Sequence, residues 1–374
     1  MNNITQKIQH ELELADIQTN GNRPWDIQVH DDRLFGQIVR KGSMGLGEAF
    51  MNGWWEAEEL DQFFAKVLTA KVDQNISITP ADALEYAKAV LTNPQNKEKA
   101  FEIGKKHYDV GNDLYQIMLD KRMVYTCGYW QGVDTLDEAQ EAKLELVCRK
   151  LNLKAGQKIL DIGCGWGSFA KYAAETYGAE VVGITVSKEQ VKLAKERCKN
   201  LPVEIRLQDY RDINEPFDHI VSLGMIEHVG SKNYRTYMQV AHRCLKDEGI
   251  FLLHTIGCNK SVRTTDPWIA KYIFPNSHLP SIRQLSLAAE GLFVMEDWQN
   301  FGAYYDKTLM AWYQNFDAGW DKLKSNYSER FYLMWTYYLL SCAGSFRARK
   351  NQLWQIVFTK HGLTDGFQAP RYMV

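Results

Sequence analysis

Residues 158–167 read KILDIGCGWG. An apolar pair, Ile159 and Leu160, leads into Asp161 and then into three glycines, Gly163, Gly165 and Gly167. A helical pattern begins near Ser168. The order is strand, glycine turn, helix start. Glycine lets the backbone approach a ligand closely and take φ values that other residues avoid. The first turn of the helix offers N–H groups with no intrahelical partner. The stretch is predicted to cradle a nucleotide-like cofactor.

Outward from the turn, strand and helix patterns alternate. Ala179–Thr185 is β-rich. Ser187–Lys199 opens with Ser–x–x–Gln, a capping-box pattern, and continues as a helix. Val203–Leu207, Phe217–Leu223 and Gly249–Ile256 are further strands, and Leu292–Gln299 and Leu353–Thr359 flank a long helical stretch. Such alternation predicts an α/β fold with a doubly wound, mostly parallel sheet. Ligands on these sheets bind beyond the carboxyl ends of the strands, at the switch point. Thr185, Asp209, Gly224–Glu227 and His254 all fall at predicted strand ends.

Upstream the chain differs. Asp26–His30 and Leu34–Val39 read as short strands, followed by a glycine-rich turn, GSMGLGEAF, and an aromatic run, GWWEAEELDQFF. The pattern weakens from Lys71 to Asn96, which reads as a linker. Helical segments are expected at Phe101–Tyr108, Asn112–Leu119 and Glu138–Lys150. The division is therefore an accessory domain with linker, 1–95, and a catalytic domain, 96–374.

Composition bounds the partners. The 374 residues carry a net charge of −2, so global charge does not point to nucleic acid. Aromatics make up 12%, which suits a large core or a pocket for a greasy or cationic species. Seven cysteines, an odd number without a CxxC pair, read as reduced thiols in a cytoplasmic setting and give no metal site. The polar opening MNNITQKIQHELELADIQ does not read as a signal peptide. Phe331–Gly344 is too short to span a bilayer and reads as a buried helix.

The cofactor is narrowed by the second strand. A dinucleotide fold wants an acid at its tip for the ribose hydroxyls. Here the tip is Thr185. Asp161 before the glycines and Gln208-Asp209-Tyr210 after the third strand resemble S-adenosylmethionine-dependent methyltransferases. Asp209 would then sit near the adenine amino group and Asp161 would order the loop. The plainer alternative makes Asp161 a loop staple and Asp209 a helix cap.

Nine motifs in one order together resemble the cyclopropane-fatty-acyl-phospholipid synthase family, which is related to the mycolic acid cyclopropane synthases. They are GSMGLGEAFMNGWWE (42–56), HYDVGNDLY (107–115), VYTCGYW (124–130), LDIGCGWG (160–167), MIEHVG (225–230), LLHTIG (252–257), DPWIAKYIFP (266–275), NFGAYYDKTLMAW (300–312) and SCAGSFRAR (341–349). The GWWE element looks like the branch acting on phospholipids. The resemblance implies a seven-stranded sheet of the class I S-adenosylmethionine methyltransferase type. It implies methylene transfer from S-adenosylmethionine to a cis double bond of a phospholipid acyl chain. The alkene is a poor nucleophile, so the two must be aligned and water excluded. The carbocation that results needs aromatic faces, for which Tyr129, Trp130, Tyr304 and Tyr305 are candidates. A base then removes a proton so that the ring closes.

In this family the base is held to be a bound bicarbonate. The matching ligands are Cys127, Glu227, His254, the backbone of Ile256, and Tyr305. Matching cofactor contacts are Tyr125, Thr126, Asp161, Gly163, Cys164, Gly165, Gly167, Thr185, Gln190, Asp209 and Tyr210. Each has a plainer alternative: His254 as a core histidine, Glu227 and His228 as helix caps, Cys127 as packing, Tyr304 in place of Tyr305. Cys342 is a candidate nucleophile by position in its motif, with packing between small residues as the alternative.

The substrate would lie in the bilayer, so the resemblance implies peripheral contact with the inner face of the cell membrane and a homodimer. Candidate docking residues are Trp54, Trp55, Phe63, Phe64 and Lys105-Lys106, with a core role as the alternative for the aromatics. Competing functions are methylation of a heteroatom, a lipid-binding protein with a decayed site, and modification of mycolic chains.

Overall fold

The computed structural model describes residues 3–72, 111–262 and 264–371. The expected linker beyond Val72, the helix at Phe101–Tyr108, Lys105-Lys106 and the boundary at 95/96 lie outside them. The chain divides into two compact units, Met1–Thr92 with Arg263–Pro275 and Tyr305–Asn351, and Asn93–Val262 with Asn276–Tyr304 and Gln352–Val374. The first unit therefore draws on three separate stretches of sequence.

In the first unit, α1 is Asn3–Leu14, β1 Gln28–Val29, α2 Arg33–Met51, β2 Trp55–Glu56 and α3 Leu60–Thr69. The strand expected at Leu34–Val39 is helical, as is the stretch expected as a glycine-rich turn. Leu34, Phe35 and Ile38 are buried at helical spacing. Only Gly42 departs from helical geometry, with φ 54° and ψ −134°, and kinks α2. Trp55 packs on Phe63 with centroids 5.1 Å apart, and Phe64 lies edge-on to Tyr337 at 5.2 Å. Trp55 is 1% exposed, Phe63 1% and Phe64 7%. These three are the unit's own core, which corrects their candidacy for membrane docking: their apolar area is already withdrawn from water. Trp54 is partly exposed, with Arg33 over its ring at 4.5 Å. The helix expected at Phe331–Gly344 forms. It runs Glu329–Arg347 and approaches α3 so closely that a Cβ on Gly344 would meet the Asp61 carbonyl oxygen at 2.6 Å.

The second unit holds α4 (Asn112–Met118), α5 (Leu136–Lys150), β3 (Lys158–Ile162), α6 (Ser168–Tyr177), β4 (Glu180–Thr185), α7 (Lys188–Arg197), β5 (Val203–Leu207), β6 (Phe217–Leu223), α8 (Tyr234–Cys244) and β7 (Leu245–Cys258). After α9 (Pro267–Tyr272) come α10 (Ile282–Ala289), β8 (Val294–Asn300), α11 (Ala303–Leu323), α12 (Glu329–Arg347) and β9 (Asn351–Thr359); α9, α12 and α11 from Tyr305 onward belong to the first unit, and α10, β8 and β9 from Gln352 onward to the second. The seven strands order as β5-β4-β3-β6-β7-β9-β8, parallel from β5 to β7, with β8 antiparallel to β9. The expected seven-stranded, mostly parallel, doubly wound sheet is borne out. Sequence order runs outward from β3 in one direction and resumes at β6 in the other. The switch point is therefore the carboxyl end of β3, where the glycine turn sits. Apolar strand residues such as Leu160, Ile162, Ile220 and Phe251 join one core cluster, and Ile159, Val181, Val221 and Leu252 another. Both sheet faces are covered, as a parallel sheet requires.

Candidate active site

Gly163, Gly165 and Gly167 have φ of 83°, 55° and 76°. Backbone in this region is strained for any side chain with a Cβ. At Gly163 a Cβ would also lie 2.7 Å from Met225 Cγ. The turn is tied down by the N–H groups of Gly163 and Cys164, which donate to the Ile184 carbonyl at 2.9 and 3.0 Å.

A strap runs over this turn. Ser168 Oγ donates to the carbonyls of Arg122 and Met123, at 2.6 and 3.1 Å. Gln140 Nε2 donates to the Thr126 carbonyl at 2.7 Å, and Lys143 Nζ donates to Thr126 Oγ1 at 2.9 Å. Tyr125 lies edge-on to Tyr115, which contacts Trp166 with centroids 4.7 Å apart. Strap and turn enclose a cleft lined by Tyr125, Thr126, Asp161, Gly163, Cys164, Gly165 and Gln190, together with Lys143, Trp166, Phe169 and Gly224.

Of the cofactor contacts implied by resemblance, Gly167, Thr185, Asp209 and Tyr210 are not among the residues lining this cleft. Gly167 is the N-cap of α6. Thr185 Oγ1 donates to Gln190 Oε1 at 2.7 Å and so orients that side chain. The capping box at Ser187 is half formed: Ser187 Oγ accepts from the Gln190 N–H, while the Gln190 side chain serves Thr185. Asp209 caps a short 3₁₀ turn, accepting from the Arg211 N–H at 2.9 Å. Tyr210 is 4% exposed and lies edge-on to Tyr237. Glu189, the acid nearest the second strand's tip, is exposed on the first turn of α7.

Asp161 is 2% exposed, its Oδ2 has no hydrogen-bond partner, and burial pushes its carboxyl up to about 7 against the pull of Lys143. An orphaned buried acceptor beside glycines that admit close approach fits a polar guest. Lys143, on α5, carries no motif of its own in the sequence. Its ammonium is fully buried, and burial lowers its pKa to about 8.

A second group lies at the carboxyl ends of β6 and β7. Leu223 pairs with His254 in register. Glu227, on the 3₁₀ turn after β6, accepts the Ile256 N–H on Oε1 at 2.7 Å, and its Oε2 has no partner. Burial lifts this carboxyl to about 7. His254 is fully buried. Gln355 Nε2 lies 3.3 Å from His254 Nδ1, and His254 Nε2 has no partner. Burial, reinforced by the cations of Lys143 and Lys150, holds this imidazole well below its usual pKa, so it is neutral. With the amide donating to Nδ1, the ring proton sits on Nε2. Phe301 lies edge-on to His254 at 5.9 Å, and Tyr129 packs against both Phe301 and Tyr304. Cys127 is buried, with Sγ 3.2 Å from the Gly128 carbonyl. His228 is held neutral, at about 4, by burial.

Tyr305 and Cys342 belong to the first unit. Tyr305 is buried, its ring 4.6 Å from Phe346 and 5.9 Å from Trp312. Cys342 lies on α12, and enclosure of its thiol pushes it up to about 12. A thiol that high stays protonated, which is the inert form.

Sheet order, glycine cradle and strap are those of a class I S-adenosylmethionine-dependent methyltransferase, with S-adenosylmethionine as methyl donor. Coclaurine N-methyltransferase, solved with N-methylheliamine and SAH, shares the fold alone, at TM-score 0.69 and 21% identity over 84% of this chain and 99% of that one. The family model for mycolic acid cyclopropane synthetase matches residues 95–356, and the chain belongs to that family. The cyclopropane-fatty-acyl-phospholipid synthase of Escherichia coli (strain K12) is 55% identical, over 96% of this chain and 94% of its own length. The mycolic acid cyclopropane synthase CmaA1, solved with SAH and CTAB, is 32% identical with TM-score 0.65, over 70% of this chain and 98% of its own.

Proposed function

We propose that this chain is a cyclopropane-fatty-acyl-phospholipid synthase, adding a methylene from S-adenosylmethionine across the cis double bond of a phospholipid acyl chain, with a bound bicarbonate taking the ring-closing proton. The observation that carries the proton-transfer part is that two buried atoms lack hydrogen-bond partners, Glu227 Oε2 on the turn after β6 and His254 Nε2 near the carboxyl end of neighbouring β7. Buried polar atoms without partners are uncommon, and these fit a small polar guest.

The donor supplies an electrophilic methyl when bound. Gly163 and Gly165 let the backbone come close to it, and Tyr125 and Thr126 cover it from the strap. Bicarbonate is a proton acceptor, and Glu227, His254 and Cys127, all in the second unit, would hold it. The Nε2–H of neutral His254 donates to an anion, and Glu227 Oε2 orients an O–H by accepting from it. The cations of Lys143 and Lys150 make the surroundings of His254 positive, which favours an anion there. Tyr129 and Tyr304 pack edge-to-face on each other and both contact Phe301, which lies against His254, so aromatic rings suited to a developing carbocation lie close to this group. The Ile256 N–H is already given to Glu227, so its contribution is to orient that carboxylate. Cys342 has no chemical part in this reading.

No helix among the described residues is long and apolar enough to cross a membrane. Contact with the bilayer is accordingly peripheral in this reading, at the inner face of the cell membrane, and a homodimer would double it.

The test is to incubate the protein with S-adenosylmethionine and vesicles of cis-monounsaturated phospholipid, with bicarbonate removed or restored. A gain of one methylene in mass, upfield ring protons and loss of olefinic signal are expected, with turnover falling when bicarbonate is stripped and returning when it is added back. Transfer of the methyl to an added amine or hydroxyl, with no product on vesicles, overturns the reading. A branched chain without a ring overturns the ring-closing step, and indifference to bicarbonate overturns the base.

A further inference from the structure

Lys143 is a fully buried lysine on α5. Among the described residues its ammonium hydrogen-bonds to Thr126 Oγ1, at 2.9 Å. An ammonium has donors only, so the Thr126 oxygen is the acceptor in that bond. The proton of the Thr126 hydroxyl is then left to be donated elsewhere. The Thr126 carbonyl accepts from Gln140 Nε2 at 2.7 Å, which holds the residue's backbone in place. Lys143 and Thr126 both line the cleft beside Gly163.

The charge around Lys143 points the same way. The titratable groups that face it are Asp120, Cys127 and Asp161, and its own field reaches His254. Asp120 spends both oxygens on the N–H groups of Arg122 and Val124, at 2.8 Å each. Cys127 is a buried thiol and His254 is neutral. Among the described residues no carboxylate lies within ion-pair distance of Lys143. A buried cation without a contacting anion is costly unless an anion arrives with the ligand.

We infer that Lys143 is a positioning residue for the amino-acid end of the methyl donor: it fixes the Thr126 hydroxyl as a donor to the ligand's α-carboxylate and supplies the positive charge behind it. This rests on the methyl-donor reading of the cleft. Because Lys143 acts through Thr126, its effect depends on the ligand having that carboxylate.

Titration calorimetry on the full-length protein tests this with three ligands: S-adenosylmethionine, S-adenosylhomocysteine and 5′-methylthioadenosine, which keeps the nucleoside but lacks the carboxylate. K143M and T126V should each weaken the first two by about tenfold or more, the usual size for a hydrogen bond to a charged group. Both should leave 5′-methylthioadenosine within about twofold of wild type. T126S, which keeps the hydroxyl, should bind all three as wild type does. Circular dichroism and melting temperature monitor folding, and T126V stands in if K143M does not fold. Equal losses for all three ligands, or no loss for any, overturn the inference. A wild-type protein that binds none of the three overturns the donor reading instead.

Discussion

Glu227 accepts the Ile256 backbone N–H on one carboxylate oxygen at 2.7 Å, and its other oxygen is buried without a partner. That bond ties the carboxyl across the carboxyl ends of β6 and β7, with Thr255 and the Glu227 backbone also acting on it, and the second oxygen stays available to a guest. The cost of that arrangement is visible in the acidity of the group, which burial lifts to about 7.

Glu227→Gln should keep S-adenosylhomocysteine affinity, since Glu227 does not line the cofactor cleft, while turnover on vesicles falls by about 10²-fold or more. In the wild type, turnover that needs the ionised carboxylate should rise with pH through about 7. Unchanged turnover in the variant removes Glu227 from the proton-transfer site.

The same substitution should stabilise the fold at higher pH. The carboxyl's pKa is raised in the folded state, from 4.5 to about 7, so the unfolded chain binds fewer protons between those values. Wild-type stability therefore declines across that window on account of this group, and glutamine carries no such dependence. Urea unfolding should show Glu227→Gln gaining on wild type by about 1–3 kcal/mol between about pH 5 and pH 8. A constant difference across that range contradicts a buried, raised carboxyl.

Gln355 holds His254 through Nδ1. Gln355→Leu removes that bond and frees the ring to change tautomer. Turnover should fall by about tenfold, the worth of one oriented hydrogen bond, with S-adenosylhomocysteine affinity unchanged. Gln355→Glu is a sharper variant: a carboxylate there accepts from Nδ1–H, moves the acceptor nitrogen to Nε2, and should reduce turnover further. Steady-state kinetics of the two variants, ordered the other way, would contradict the assigned tautomer.

Gly163 and Gly165 should respond differently to alanine. Gly163→Ala combines a φ of 83° with overlap onto Met225, at 2.7 Å, so the cost should reach about 3 kcal/mol or more. Gly165→Ala has a φ of 55° and no atom within 4 Å of the added methyl, so the cost should be about 1–2 kcal/mol. Because Gly165 lines the cleft, its methyl should nonetheless weaken S-adenosylhomocysteine by about tenfold. Thermal unfolding and calorimetry on the pair check both orders.

Cys342→Ala should retain near wild-type turnover and leave the sensitivity of activity to thiol reagents unchanged, because burial keeps this thiol protonated at about 12. Loss of turnover with the fold intact would restore it as a chemical participant.

The alternation of strands and helices, the glycine turn and the nine motifs were legible from residue types alone. Strand periodicity and φ preference are local properties of a chain, and they do not depend on what later packs around them. The reading failed where context outweighed local pattern. Leu34–Val39 alternates well enough for a strand, yet its apolar residues serve a helix face against the first unit's core. Trp55, Phe63 and Phe64 look like a docking surface in a line of sequence, and the fold spends them on Tyr337 and on one another. Lys143, in the unremarkable helix EAKLELVCRK, reads as one more solvated lysine.

By itself the sequence determined the class of fold, the glycine turn at the switch point and the family, because these rest on short-range spacing along single strands and turns. The tertiary structure alone decided which charges lose their water. Lys143, Asp161, Glu227 and His254 come from four separate elements, and only their burial in one unit gives Asp161 and Glu227 raised pKa values, leaves His254 neutral and leaves Asp161, Glu227 and His254 with orphaned atoms. Desolvation depends on every neighbour in three dimensions, so no spacing along the chain encodes it.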